Sequence, residues 1–219
     1  MTACLQCKAV LAFENDGEKL ARNLEESFPG CECEAYSVGE GSPGRVLDEE
    51  YLFRAFTDPP DVDDHGQLAR DAFRSAHQNG LSVFREQASD ADVEAIISDI
   101  LSVKTGKKPK QVLALFRVQA AAVRLTTEQR LDPPLNAFCI YDQTVPRLLQ
   151  PQAPHVPIHA AIFFRHLKPA DVSAKQLRRD CEGMLYKVIS AVRVPVDQFR
   201  NGIITGLNAR SLAGEFIRQ

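Results

Sequence analysis

The sequence predicts an α+β fold: a domain on a mixed sheet with a helical C-terminal part, and a small βαβ module in front of it. Three observations lead there. Short strand-like apolar runs alternate irregularly with helical stripes, and the connections between them are long, which disfavours a doubly wound parallel sheet. Residues 39–45 (GEGSPGR) carry Gly, Ser and Pro without periodicity and read as a linker. From Arg165 onward the pattern turns helical, and 10 Lys/Arg stand against 5 Asp/Glu. The division that follows is residues 1–44 for the module and 45–219 for the α+β domain with its basic helical end.

The size fits this plan. A chain of 219 residues suits one domain, or one domain plus a small appendage. With 44% hydrophobic and 25% charged residues it is not a disordered chain, a collagen or a coiled coil. Folding at this length buries roughly 70% of the unfolded surface. The longest apolar runs, residues 112–116 and 160–164, fall far short of the roughly 20 residues of a membrane helix, so no membrane partner is expected. The start, Met1-Thr2-Ala3-Cys4, lacks the basic-then-apolar order of a signal peptide, and a cytoplasmic location is expected.

In the module, residues 8–13 (KAVLAF) read as a strand. Residues 18–28 place Leu20, Leu24 and Phe28 on one helical face, with Asp16 as N-cap and Pro29-Gly30 as stop. Residues 32–38 read as a second strand. A strand–helix–strand crossover makes the two strands parallel, so their starting ends lie side by side. Cys4 and Cys7 precede the first strand, and Cys31 and Cys33 open the second, so four thiols converge on one corner.

In a chain without a secretory signal, clustered cysteines read as metal ligands or redox groups before disulfides. Two close pairs on a short module are what a tetrahedral Zn(II) site requires, and no open coordination position is evident. Structural zinc on Cys4, Cys7, Cys31 and Cys33 is the expectation; a thiol redox pair and unliganded cysteines are the alternatives. Cys31 and Cys33 would stand about 6.8 Å apart in a regular strand, so the backbone must bend there, which Gly30 permits. Cys139 and Cys181 fall in apolar surroundings and read as core thiols.

In the domain, residues 50–56 (EYLFRAF) read as a strand with Arg54 near its centre. Residues 66–76 suit a short helix and residues 80–85 (GLSVFR) a strand. A helix opens at Ser89-Asp90-Ala91-Asp92, with Val93, Ile96, Ile97, Ile100 and Leu101 as one buried stripe. Residues 112–118 suit a strand buried on both faces, residues 120–125 a helical turn, and residues 137–141 and 158–164 two further strands. Ser173-Ala-Lys-Gln176 is a capping-box signature. It opens a helix that turns Leu177, Cys181, Met184, Leu185 and Val188 inward, and a last helix is expected over residues 207–217.

The net charge of −3 conceals a polarity: residues 1–66 hold 5 Lys/Arg against 15 Asp/Glu, and the remainder is basic. Lys104, Lys107, Lys108 and Lys110 form a basic stretch able to touch phosphate, although no aromatic residues are interleaved with it as stacking platforms. Thr105-Gly-Lys-Lys lacks the earlier glycine and the following helix of a P-loop. No Gly-X-Ser-X-Gly or His-Glu-X-X-His occurs.

Four short motifs then stand out: Tyr51-Leu-Phe-Arg54, the Leu-Ala-X-X-Ala-Phe of residues 68–73, Gly80-Leu-Ser-Val83 and Pro157-Ile-His159-Ala160. Together they resemble a widespread group of small uncharacterised bacterial proteins, over roughly residues 50–164 and outside the cysteine module. The resemblance implies that Arg54, Ser82 and His159 share a pocket. It also implies an association with bacterial defence operons, and carries no activity.

The functional expectation is therefore a non-enzymatic protein-interaction or regulatory protein of bacterial type, with a protein partner. The alternative is an enzyme acting on a small phosphorylated or nucleotide-like ligand, with Arg54 holding the anion, Ser82 donating and His159 as acid or base. A second alternative is a nucleic-acid-binding accessory protein.

Overall fold

The computed structural model describes residues 44–58, 61, 68–77, 80–88, 92, 95–98, 101, 111–142, 159–165 and 169–189. Their elements, in order, are β1 (Tyr51–Asp58), a 3-10 helix (Arg70–His77), β2 (Leu81–Arg85), β3 (Gln111–Gln119), α1 (Ala120–Arg124), β4 (Thr127–Glu128), β5 (Leu135–Asn136), β6 (Phe138–Asp142), β7 (His159–Phe164) and α2 (Ala174–Ile189). The fold is α+β.

Five strands form one sheet in the order β3-β1-β2-β7-β6, and β4 pairs with β5 in a separate small hairpin. Every described pairing is antiparallel. A mixed sheet was expected; the described one is antiparallel because each strand's neighbours run opposite to it, so no parallel pair forms. β1 and β2 are neighbours across the 3-10 helix, and β6 and β7 lie side by side. The connections from β2 to β3 and from β3 to β6 cross over other strands and join strands of the same direction, yet no two parallel strands become neighbours.

Strand alternation sorts the side chains onto two faces. On one face Leu52, Phe56, Leu81, Val83, Phe116, Val118, Phe138, Ile140, Ala160, Ile162 and Phe164 join Ala72, Phe73 and Ala76 of the 3-10 helix and Leu177, Cys181, Leu185 and Ile189 of α2 in a single core. Phe56 anchors it, meeting Phe73 edge-on at 5.5 Å and Phe116 at 4.5 Å between ring centroids. On the other face Phe53 stacks on Phe84 at 5.5 Å and Tyr141 meets Phe163 edge-on at 5.3 Å. Phe53, Phe84, Leu115, Cys139, Tyr141, Ala161 and Phe163 are buried there too, while Ser82 on the same face is exposed.

α2 starts where its sequence signature places it. Ser173 Oγ accepts from the Gln176 backbone N–H at 3.2 Å, which satisfies one of the helix's orphan donors. The inward stripe Leu177, Cys181, Leu185 and Ile189 recurs every four residues, while Met184 and Val188 pack half-buried beside it. Around residues 92–101, Ile97 is buried but Leu101 is 42% exposed, so the expected stripe stops short of Leu101. The 207–217 helix lies outside the described residues.

Residues 44–50 are bound tightly to the sheet. Arg124 Nη2 donates to Val46 O at 2.8 Å and its Nη1 meets Asp48 at 2.5 Å, while Ala120 N donates to Glu50 O at 2.9 Å. A second arginine, Arg85, is 1% exposed and holds the same segment from within. Its Nε and Nη2 grip Glu50 at 2.9 and 2.6 Å, and Nη1 reaches Asp142 at 2.9 Å. The Gly44 and Arg45 carbonyls take its two remaining N–H groups. All five donors of one buried guanidinium are thus used, which is what makes its burial tolerable.

Candidate functional site

Ser82 lies on β2 and His159 opens β7. The register sets Ser82 against Ala161 and Phe84 against His159, so Ser82 and His159 are diagonal neighbours on one face. Ser82 Oγ and His159 Nε2 are hydrogen-bonded across 77 residues of sequence. Ser82 is exposed while His159 is 8% exposed. With its proton on Nδ1, the imidazole presents Nε2 as the acceptor of the serine O–H, the arrangement a general base needs.

Arg54 reaches the same serine from the other side. The β1–β2 ladder pairs Leu52 with Arg85 and Phe53 with Phe84. Continued in that register it would set Ala55 against Ser82. Instead the Ser82 carbonyl accepts from Arg54 Nη1 at 2.8 Å. The Arg54 side chain springs from the helix-covered face, opposite Phe116, with its Cζ 5.4 Å from the centre of the Phe56 ring. A backbone carbonyl lies in the plane of its sheet, so a guanidinium bonded to it lies where the two strands part.

The neighbourhood leaves that guanidinium underused. Asp61 Oδ1 stands 3.9 Å from Nη2, an ion pair beyond hydrogen-bond reach, and Nε is buried without a hydrogen-bond partner. Asp61 is fixed in turn: its Oδ2 accepts from the Thr57 N–H at 2.8 Å and from Thr57 Oγ1 at 3.0 Å. Burial pushes the Arg54 guanidinium down, and Asp61 pulls it back up. Arg54 is therefore a cation with spare donors, whereas Arg85, at the end of β2, has none to spare.

Gly80 sets the approach to Ser82. Its φ of +84° is left-handed, and a Cβ there would fall 2.7 Å from Phe163 Cζ and 3.0 Å from Ala161 Cβ. Only glycine allows β2 to start this close to β7.

The three residues grouped by the sequence thus meet at Ser82. The four cysteines Cys4, Cys7, Cys31 and Cys33 and the lysines Lys104, Lys107, Lys108 and Lys110 lie outside the described residues. Among the described residues no group of three or more His, Cys, Asp or Glu side chains is placed to hold a metal ion. Cys181 is fully buried, and burial followed by the adjacent Glu182 pushes its thiol well up, so it stays an unreactive core group. Sequence reasoning missed the Glu50–Arg85–Asp142 cluster, whose members lie 35 and 57 residues apart.

No family model matches the chain, and no curated protein or solved structure matches it. No helix among the described residues is long and apolar enough to cross a membrane.

Proposed function

We propose that the chain is an enzyme acting on a small phosphorylated ligand at Ser82. The observation that carries this reading is the convergence on one residue: the Ser82 hydroxyl bonds His159 and its carbonyl bonds an arginine with unused donors. In this reading Arg54 holds the anionic group, Ser82 donates to the ligand, and His159 takes and returns the proton. A guanidinium's planar fork suits phosphate oxygens, and its partial burial strengthens the attraction by lowering the local dielectric.

The test is turnover of a panel of phosphomonoesters, sugar phosphates and nucleotides among them. His159→Gln is expected to lower kcat by about 100-fold or more, and Arg54→Met chiefly to raise KM. Absence of turnover, together with recovery of a stoichiometric protein partner from the native host, would decide for the interaction-protein reading.

The N-terminal cysteines support a structural zinc for the module. Closed tetrahedral sites built from two cysteine pairs serve folding, and a module this short has little core of its own.

A further inference from the structure

Between the 3-10 helix and α2, three arginines gather around one nearly sealed carboxylate, and a fourth lies against the next residue of α2. Glu182 is 7% exposed. Arg178, one turn earlier on α2, places Nε 3.6 Å from Glu182 Oε1. Burial pushes the Glu182 carboxyl up; Arg178, Arg74 and Arg179 pull it down, and Asp71 opposes them. Arg70, at the start of the 3-10 helix, lies against α2 at Gly183, its guanidinium carbon 3.9 Å from where a Cβ would stand. Arg70, Arg74 and Arg179 are exposed.

The charges do not cancel. Among the described residues, Arg74, Arg178 and Arg179 face Glu182 and Asp71, and Arg70 adds a fourth guanidinium beside Gly183. Among the described residues the one ion pair within reach, Arg178 to Glu182, is longer than a hydrogen bond, and Arg178 Nε is buried without a hydrogen-bond partner. The neighbouring α2 carboxylate, Asp180, is engaged elsewhere, by Arg130 at 2.6 Å and Gln176 at 2.7 Å. Counted over the described residues, the groove therefore keeps a net positive charge and several free planar donors.

We infer that this groove binds the phosphodiester backbone of a nucleic acid. Its length argues for a chain of phosphates over a single one. From Arg178 to Gly183 the helix rises about 7.5 Å at about 1.5 Å per residue. That is about two nucleotide steps at about 3.4 Å per step along one strand. Its composition argues the same way: the cations are all arginines, whose forks match phosphate oxygens in pairs. Glu182 beneath them pairs only with Arg178, at 3.6 Å, among the described residues. The inference is independent of the Ser82 site, since none of the four arginines contributes to it.

The test is fluorescence anisotropy of the full chain with labelled oligonucleotides of roughly 20 nucleotides, single-stranded and duplex, from about 50 to about 200 mM salt. Binding is expected to weaken with salt, with a log–log slope of about −2 to −3.5 for three or four phosphate contacts at about 0.7–0.9 each. Arg70→Glu, Arg74→Glu and Arg179→Glu change exposed residues, and unaltered far-UV circular dichroism and Tm would show that each variant folds. Each is expected to weaken binding by about 10-fold or more and to lower the slope by about 1. Lys107→Glu with Lys108→Glu is expected to leave affinity within about twofold. The inference is overturned by no binding at about 50 mM salt, or by loss of binding in the lysine variant alone. It is also overturned if polyglutamate competes as well as the oligonucleotide, which would assign the groove to an acidic protein surface.

Discussion

Arg85→Met strips a buried cluster of its only cation among the described residues. Arg85 is 1% exposed, Glu50 2% and Asp142 3%. Methionine keeps the apolar stem but deletes five hydrogen bonds, three to carboxylate oxygens and two to the Gly44 and Arg45 carbonyls. Breaking one buried ion pair costs about 3–5 kcal/mol, because the partner charge is left without compensation. Here two carboxylates lose their cation together, so the expected cost at pH 7 lies at the upper end, about 5 kcal/mol. That is a third or more of a typical domain stability of about 5–15 kcal/mol. For a chain of this size it corresponds to a fall in Tm of about 10–20 °C. The Leu47 N–H, donating to Glu50 Oε1 at 2.8 Å, softens the loss only slightly. Urea unfolding and thermal melts followed by circular dichroism measure it. The triple variant Arg85→Met, Glu50→Gln, Asp142→Asn removes the charges as well and is expected to recover most of the stability. A loss below about 1 kcal/mol, the scale of an exposed ion pair, would refute the reasoning. So would a triple variant no more stable than the single one.

Gly80→Ala forces a left-handed residue to carry a Cβ 2.7 Å from buried Phe163, and is expected to cost about 2–4 kcal/mol in urea unfolding. Glu182 has its folded pKa raised by burial, so its contribution is fully present below about pH 4.5, the unfolded value, and is lost as pH rises through the folded pKa. Glu182→Gln is therefore expected to raise Tm at pH 7 and to lose that advantage below about pH 4.5; a Tm gain that is constant with pH would contradict this. Glu128 behaves oppositely: hydrogen bonds from Arg130 hold its carboxyl low against desolvation, so its stabilisation is present above about pH 4.5 and fades as pH falls through the folded pKa. Arg130→Met is expected to lower Tm at pH 7, with the gap to the native chain narrowing in acid. Metal analysis of the purified chain is expected to return one zinc per molecule; a value near zero with Cys4→Ser folding normally removes the zinc reading.

Strand positions were legible because apolar, aromatic and β-branched runs such as residues 81–85 and 159–164 have no competing helical period. Strand direction was not. Antiparallel order comes from which partners β1 and β7 find in three dimensions, and composition does not encode it. The β4–β5 hairpin left no trace because two residues per strand are too few for any period. Ser82 and His159 were grouped through short motifs, but their contact depends on a register that puts residues 77 apart on one diagonal. Arg85 reads in sequence as the polar end of a strand. Its burial follows from Glu50 and Asp142, which reach it from strand ends that only the folded sheet brings near. The underuse of Arg54 was likewise invisible, since it arises where the β1–β2 ladder stops.

The most direct measurement of the central claim follows the His159 imidazole by NMR while inorganic phosphate is added to the full chain. Phosphate held by Arg54 beside Ser82 is expected to shift the His159 ring signals saturably, and Arg54→Met, still folded by circular dichroism, is expected to abolish that shift. A His159 signal that stays still as phosphate saturates, or that moves equally in the Arg54→Met variant, would contradict the account.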